Sequence, residues 1–319
     1  MLVGVVVVLA FQVGGNGAGD RSSTSTTATD AEESPFGPVP ETDGPGDGGV
    51  AAVVTPNRFV VPVTGGEPGA WEVLTPCAET AVVDDGEPID GAHVVLDPGH
   101  GGSETGAISD TGQSEEEINL DIALRTERLL EEQGAIVVLT RATDVRVSIR
   151  TRTAIAQALQ PQAFVSIHHN AGATRSSDEP GTEIYHQLDD PGSKRLAGLI
   201  WEEVHGRLSQ FGTDWVVGDA TGARARRSLN DGDDFYGILR RAQGVPSALS
   251  EAAYLSNPAE DALLKRDDVR ETEATAFATA IIRFLTTEDE GSGYLPPLES
   301  PSDPGGGGGT GGCNDPPLG

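Results

Sequence analysis

A chain of 319 residues with 50 acidic and 21 basic side chains, net charge −29, has no basic stripe for a polyanion, so nucleic acid is excluded as a partner. The acid is spread unevenly: residues 14–50 hold seven acids and one arginine, 286–319 six acids and no base, and 93–285 thirty acids against nineteen lysines and arginines. That distribution reads as solubility in a salty medium rather than as a binding device.

The first thirteen residues are apolar from Leu2 to Val13 except for Gly4 and Gln12. The run is shorter than the roughly 20 residues that span a bilayer, but long enough for the core of an export signal. No positive charge precedes it, so residues 1–13 read as a truncated signal peptide or membrane anchor, and the expected location is extracellular or cell-wall. Residues 14–50 and 286–319 are rich in Gly, Ser, Thr, Pro and acid. Both are expected to be disordered, a spacer and a tail, because they bury too little apolar surface to offset the entropy of ordering. Residues 51–92 read as a lead-in to a single domain over 91–285. Cys77 and Cys313 both lie outside 93–285 and neither has a second cysteine nearby, which rules out a cysteine-based zinc site. In an exported protein the two are expected to pair, and two unrelated thiols remain the alternative.

Within the domain, strands and helices alternate. Strands are expected at His93–Asp97, Ile136–Thr140, Phe164–His168, Glu183–Gln187 and Ala248–Glu251, from apolar runs bounded by turn residues. Helical spacing of apolar residues predicts Glu115–Glu132, capped by Ser114 and stopped by Gly134, then Ser148–Leu159, Lys194–Leu208, Ala259–Leu264 and Glu271–Leu285. The pattern predicts an α/β fold: a mostly parallel, mixed sheet sandwiched by helices. In such folds working groups gather at the carboxyl ends of the strands.

Three groups stand at that edge. His100 follows the first strand in VVLDPGHGG, His168 ends AFVSIH, and Glu251 ends SALSE. Glu115 opens the first helix beside them. Two imidazoles and a carboxylate suit a catalytic zinc with an open fourth position, one ion per chain, and a further carboxylate would serve as base. On this reading His100, Glu115 and His168 are ligands and Glu251 is the base. Each has a bland alternative. A histidine in a turn is usually solvated, and a helix-start glutamate is favoured by the helix dipole in any case. Glu251 in an apolar run is less easily dismissed, since a buried unpaired carboxylate is costly. A phosphate cradle in the glycine turn is disfavoured because no lysine accompanies it.

Taken in order, VVLDPGHGG, GQSEEEINLDIALRTERLL, VVLTRATD, RTAIAQALQPQAFVSIHHNA and GVPSALSEAAYLSNPAEDALL resemble the successive motifs of the zinc-dependent N-acetylmuramoyl-L-alanine amidases of bacterial cell walls. The resemblance covers about 93–285. It implies His100, Glu115 rather than Glu116 or Glu117, and His168 as zinc ligands, and Glu251 as catalytic glutamate. It departs at Glu116, where the family commonly has lysine, at Ala253-Tyr254 in place of Gly-Phe, and at His169, where the family has a small residue. His169 thus offers a second imidazole that could exchange with His168 on the metal. The implied reaction is hydrolysis of the amide between N-acetylmuramic acid and L-alanine in peptidoglycan. Asp97, Asn170, Arg152 and Arg240 are candidate supporting or substrate contacts, Arg240 towards a substrate carboxylate. No protein partner is required on this reading, and a monomer is expected. The rivals are an inactive wall-binding or regulatory homologue and a zinc peptidase acting on ordinary peptides.

Overall fold

Five short strands come first in the chain: β1 (Ala52–Val54), β2 (Val60–Glu67), β3 (Ala70–Leu74), β4 (Thr80–Val83) and β5 (Glu87–Ile89). The computed structural model describes residues 34–172, 181–212, 221–301 and 312–319. The five strands pair antiparallel in the order β4-β3-β2-β1-β5. Their inward residues Val53, Val61, Val63, Trp71, Val73 and Val83 close a small core. The stretch 51–92 is therefore a built sheet and not merely a lead-in.

Two expectations of disorder are corrected over the residues described. Ser34–Val50 packs onto the protein through its single aromatic residue: Phe36 is 4 % exposed and lies 5.7 Å from the His93 ring. Burying one such side chain contributes about 1.5–3 kcal/mol, and it is joined by buried Val50 and by hydrogen bonds from Gln162 to the Phe36 carbonyl at 3.2 Å and from Thr42 to the Asp90 carbonyl at 2.5 Å. At the other end, Asp315 accepts hydrogen bonds from Thr75 Oγ1 at 2.6 Å and from the Cys77 amide at 2.7 Å, and Leu318 packs on the small core. Cys77 and Cys313 form a disulfide, with Cα atoms 5.6 Å apart. The remainder of the spacer and tail, 14–33 and 302–311, lies outside the described residues. So do residues 1–13. Among the described residues no helix is long and apolar enough to cross a membrane.

The main body follows as β6 (Val94–Pro98), α1 (Glu115–Glu131), β7 (Val137–Leu139), α2 (Ile149–Leu159), β8 (Ala163–Asn170), β9 (Glu183–His186), α3 (Pro191–Leu208), β10 (Gly222–Ser228), α4 (Gly237–Arg241), β11 (Ser247–Tyr254), α5 (Pro258–Leu264), α6 (Asp267–Thr286) and β12 (Leu298–Ser300). The sheet order is β12-β10-β9-β11-β8-β6-β7, parallel at every step except β9 against β11. This is the mixed, mostly parallel sheet expected. Strands β10 and β12 and the short helix α4 are additions to it.

Strand alternation distributes the side chains between two layers. Val94, Leu96, Val165 and Ile167 meet α1, α3 and α6 through Ile118, Ile122, Leu199 and Phe277. Val95, Phe164 and Leu249 meet α2 and α4 through Ile155, Leu159 and Leu239, and β1 docks on the same side through Ala51 and Ala52. Helix α1 starts where expected, but the Ser114 side chain makes no capping bond. The preceding loop does that work instead: the amides of Glu115 and Glu116 donate to the carbonyls of Ala107 and Thr105 at 2.9 and 3.1 Å.

Candidate active site

Strand β6 delivers the chain to Gly99 at the carboxyl edge of the sheet. A Cβ at Gly99 would overlap the His168 imidazole, so only glycine lets the turn pass this close. His100 follows with φ of 61°, in the left-handed region that L side chains avoid at a cost of order 1–3 kcal/mol. Arg152 holds it there by donating Nη2 to the His100 carbonyl at 2.5 Å. On the facing loop, Gly106 leaves room for the Glu115 carboxylate, and the Ala107 amide donates to Glu115 Oε2 at 2.9 Å. The loop that caps α1 therefore also orients its first side chain.

These supports bring three donors to one point. His100 Nε2 lies 3.1 Å and His168 Nδ1 3.0 Å from the same Glu115 Oε1. The two imidazoles meet edge-on, centroids 4.8 Å apart. Ligand atoms of His100, Glu115 and His168 all fall within 4.8 Å of one another. Glu251 is the register partner of His168 across β11 and β8, and of Glu183 across β11 and β9. Its Oε2 is shielded from solvent and has no hydrogen-bond partner. His100, His168 and Glu251 line one cleft of about 470 Å3, together with Phe235, Tyr236, Arg240 and Arg241.

The electrostatics show what this cluster lacks. Burial disfavours a charged His100, yet the Glu115 carboxylate and Glu104, 3.4 Å from Nδ1, outweigh it and push the imidazole up to about 10. Glu115 is itself buried, and the two histidines hold its carboxyl well below the usual range. Burial keeps His168 neutral below its ordinary value. Burial, with the Glu115 charge added, pushes Glu251 well above the carboxylate range. The buried Glu115 carboxylate thus favours positive charge beside it. Two imidazoles and one carboxylate in this spacing are donors that fit zinc, with Glu251 left free beside them.

The remaining candidates divide. Asp97 and Arg152 are a buried pair at 2.6 Å, with Asp97 also accepting from Thr140 at 2.5 Å and Ser166 at 2.7 Å. Burial would raise the Asp97 carboxyl, but Arg152 and the two hydroxyls hold it below its ordinary value. Arg152 also donates to the carbonyls of Pro98 at 2.7 Å and Val147 at 2.8 Å, so it braces the His100 turn. Asn170 donates to Glu183 Oε2 at 2.9 Å. Arg240 borders the cleft with its side chain 34 % exposed.

His169 is corrected as a rival ligand. Alternation turns it to the opposite layer, fully buried, with Nδ1 2.8 Å from Asn119 Oδ1 and Nε2 3.3 Å from Glu273 Oε2. Sequence reasoning missed Glu104, whose position four residues after His100 was the available signal, and Glu183, Phe235 and Tyr236, which reach the site only through the tertiary fold.

Comparison with known proteins identifies the family. The family profile described as N-acetylmuramoyl-L-alanine amidase matches residues 94–283. The chain is 32 % identical over 222 residues to the N-acetylmuramoyl-L-alanine amidase AmiC of Neisseria meningitidis, covering 61 % of this chain and 53 % of that protein. It is 33 % identical over 182 residues to the probable cell wall amidase LytH of Staphylococcus aureus, covering 56 % of this chain and 53 % of that one. It thus spans about half the length of these curated relatives. Among solved structures, the N-acetylmuramoyl-L-alanine amidase AmiC2 of Nostoc punctiforme superimposes with a TM-score of 0.51 at 30 % identity, over 60 % of this chain and 96 % of that one. With its strand-edge His100, Glu115 and His168 inside a match that spans more than half its length, this chain belongs to the N-acetylmuramoyl-L-alanine amidase family.

Proposed function

We propose that the protein is a zinc-dependent N-acetylmuramoyl-L-alanine amidase, hydrolysing the amide that joins the lactyl group of N-acetylmuramic acid to L-alanine of the peptidoglycan stem. The observation that carries this is the convergence of His100, Glu115 and His168 beside an unpartnered Glu251 oxygen in one cleft. Zinc held by the three donors supplies Lewis acidity towards the scissile carbonyl. Glu251 takes a proton from the attacking water and returns it to the leaving amine. Burial, with the Glu115 and Glu183 carboxylates added, raises the Glu251 carboxyl, and a cation held by His100, Glu115 and His168 would offset the Glu115 contribution and favour Glu251 as a base. Arg152 and Gly99 fix the His100 turn, and the Ala107 amide keeps Glu115 aimed inward.

The Cys77–Cys313 disulfide supports an oxidising location outside the cytoplasm, as does the cell-wall name of the staphylococcal relative. We place the enzyme in the wall, exported by the apolar segment at residues 1–13. The test is metal analysis of the purified protein together with digestion of intact sacculi. About one zinc per chain and new L-alanine amino termini are expected, with plain oligopeptides left uncut. Cleavage of plain oligopeptides would make it a peptidase, and intact sacculi at full zinc loading would make it a binding homologue.

A further inference from the structure

The cleft is lined by positive charge that the protein leaves partly unused. Among its acids, Asp97 is paired with Arg152 and Glu104 with His100. Of the three arginines that line it, Arg152 is committed to Asp97 and to three backbone carbonyls. Arg240 is not: it donates to the Asp234 carbonyl at 3.1 Å and, among the described residues, is otherwise paired with the exposed Asp231 alone, at 3.8 Å. Arg241 is exposed, and no hydrogen bond or ion pair engages its side chain among the described residues. Both stand on α4, beside Phe235 and Tyr236. Those rings are held from behind by Arg226, which stacks 3.9 Å above Phe235 and donates to the Tyr236 hydroxyl at 3.0 Å.

In a protein of net charge −29 an anionic substrate is repelled by most of the surface, so a cleft that takes one must attract it locally. Two guanidiniums with no buried carboxylate partner among the described residues, beside the Phe235 and Tyr236 rings, provide that attraction in a form suited to a carboxylate. The substrate's own chemistry decides which end they meet. N-acetylmuramic acid has its carboxyl group tied up in the scissile amide and is uncharged, whereas the stem peptide carries free carboxylates. The first of these beyond L-alanine is the α-carboxylate of the second stem residue, a γ-linked glutamate in which that group is either free or amidated.

We infer that Arg240 and Arg241 form an anion subsite for that α-carboxylate, so that the enzyme selects stems in which it is free. This rests on the amidase reading above. The experiment measures kcat/KM of the zinc-loaded full chain on two soluble muropeptides that differ only in carboxylate or carboxamide at the second stem residue. The wild-type protein prefers the carboxylate by about tenfold or more, the scale of a charge-assisted hydrogen bond. The preference shrinks as salt is raised from about 50 mM to about 500 mM. In Arg240→Gln/Arg241→Gln it falls to near parity through a higher KM for the carboxylate substrate, at unchanged zinc content and melting temperature. Arg241→Gln alone, at an exposed position without bonds to lose, removes part of it. Equal cleavage of both substrates by the wild-type protein, or a preference that survives the double substitution, overturns the subsite and leaves the amidase reading standing. Cleavage of neither substrate overturns the amidase reading and the subsite with it.

Discussion

Two adjacent histidines on β8 show what separates chemistry from architecture in this protein. His168 faces the cleft, against Glu115 and beside a Glu251 oxygen that bonds to nothing. His169 faces the helices, where Asn119 and Glu273 engage its two ring nitrogens out of contact with water. The residue type, the strand and the local sequence are the same, and only the side of the sheet differs. A buried polar group usually has its partners supplied, as His169 does. On the cleft side Glu251 Oε2 has none, which costs stability and leaves it able to accept a proton or hydrogen bond from a ligand. The two sides also touch: Asn119 reaches from His169 to Glu115 Oε1 at 3.4 Å, so the satisfied cluster backs the reactive one.

Substitutions on the cleft side should be felt most in turnover. His168→Ala is expected to lose zinc and activity together. Glu251→Gln should keep zinc near full occupancy while kcat falls about 10²–10⁴-fold, the usual effect of removing a general base. Metal content measured beside kcat separates the two. If Glu251→Gln empties the site while Glu115→Gln retains zinc, the roles assigned to the two glutamates are reversed.

Breaking the brace under the site is a stability experiment. Arg152→Met leaves Asp97 buried and uncompensated and should cost about 3–5 kcal/mol, read from denaturant unfolding. Asp97 also sets an acid limit. Its carboxyl is held below 3.8 in the folded protein, so its contribution is present above that value and lost as pH falls through its folded pKa. Arg152→Met should shift the acid-unfolding midpoint to higher pH; an unchanged midpoint would show that Thr140 and Ser166 suffice without the guanidinium.

The smallest effect belongs behind the sheet. His169→Ala strands Glu273 and should lower stability by about 1–3 kcal/mol, with zinc binding retained. Loss of zinc in this variant, at a temperature where it remains folded, would mean that the satisfied side positions Glu115 rather than merely packing behind it.

Most of the α/β body was legible in the sequence because its strands are apolar runs and its helices carry long periodic stretches, as in Ile118, Ile122 and Leu130 of α1. Strand β10 was not, because GARARRS reads as a charged loop; its burial comes from Ala223 and Ala225 alternating with arginines. The N-terminal sheet escaped for another reason. Its strands run only three to eight residues and are interrupted by Gly, Pro and acid, so no single one carries a recognisable period. Ser34–Val50 looked too polar to order, yet Phe36, Val50 and hydrogen bonds to backbone carbonyls dock it. At the site, the places of His100, His168 and Glu251 at strand ends followed from position, whereas the choice of Glu115 over Glu116 and Glu117 came from the family resemblance. The services of Glu104 and the Ala107 amide depend on a loop folding back on itself, which residue types do not announce.

The Cys77–Cys313 bond joins residues 236 apart and so closes a covalent ring around the entire seven-stranded sheet. Loop-closure entropy sets an upper figure of roughly 5 kcal/mol for such a ring, but thermodynamics is the lesser consequence. A chain threaded out amino end first presents Cys77 long before Cys313, so the clasp can close only once every strand of the catalytic sheet has emerged. From then on, a single cut in any loop between the two cysteines opens the ring without releasing a fragment. The halves part only under reducing conditions, and a nicked molecule outside the cell remains one particle.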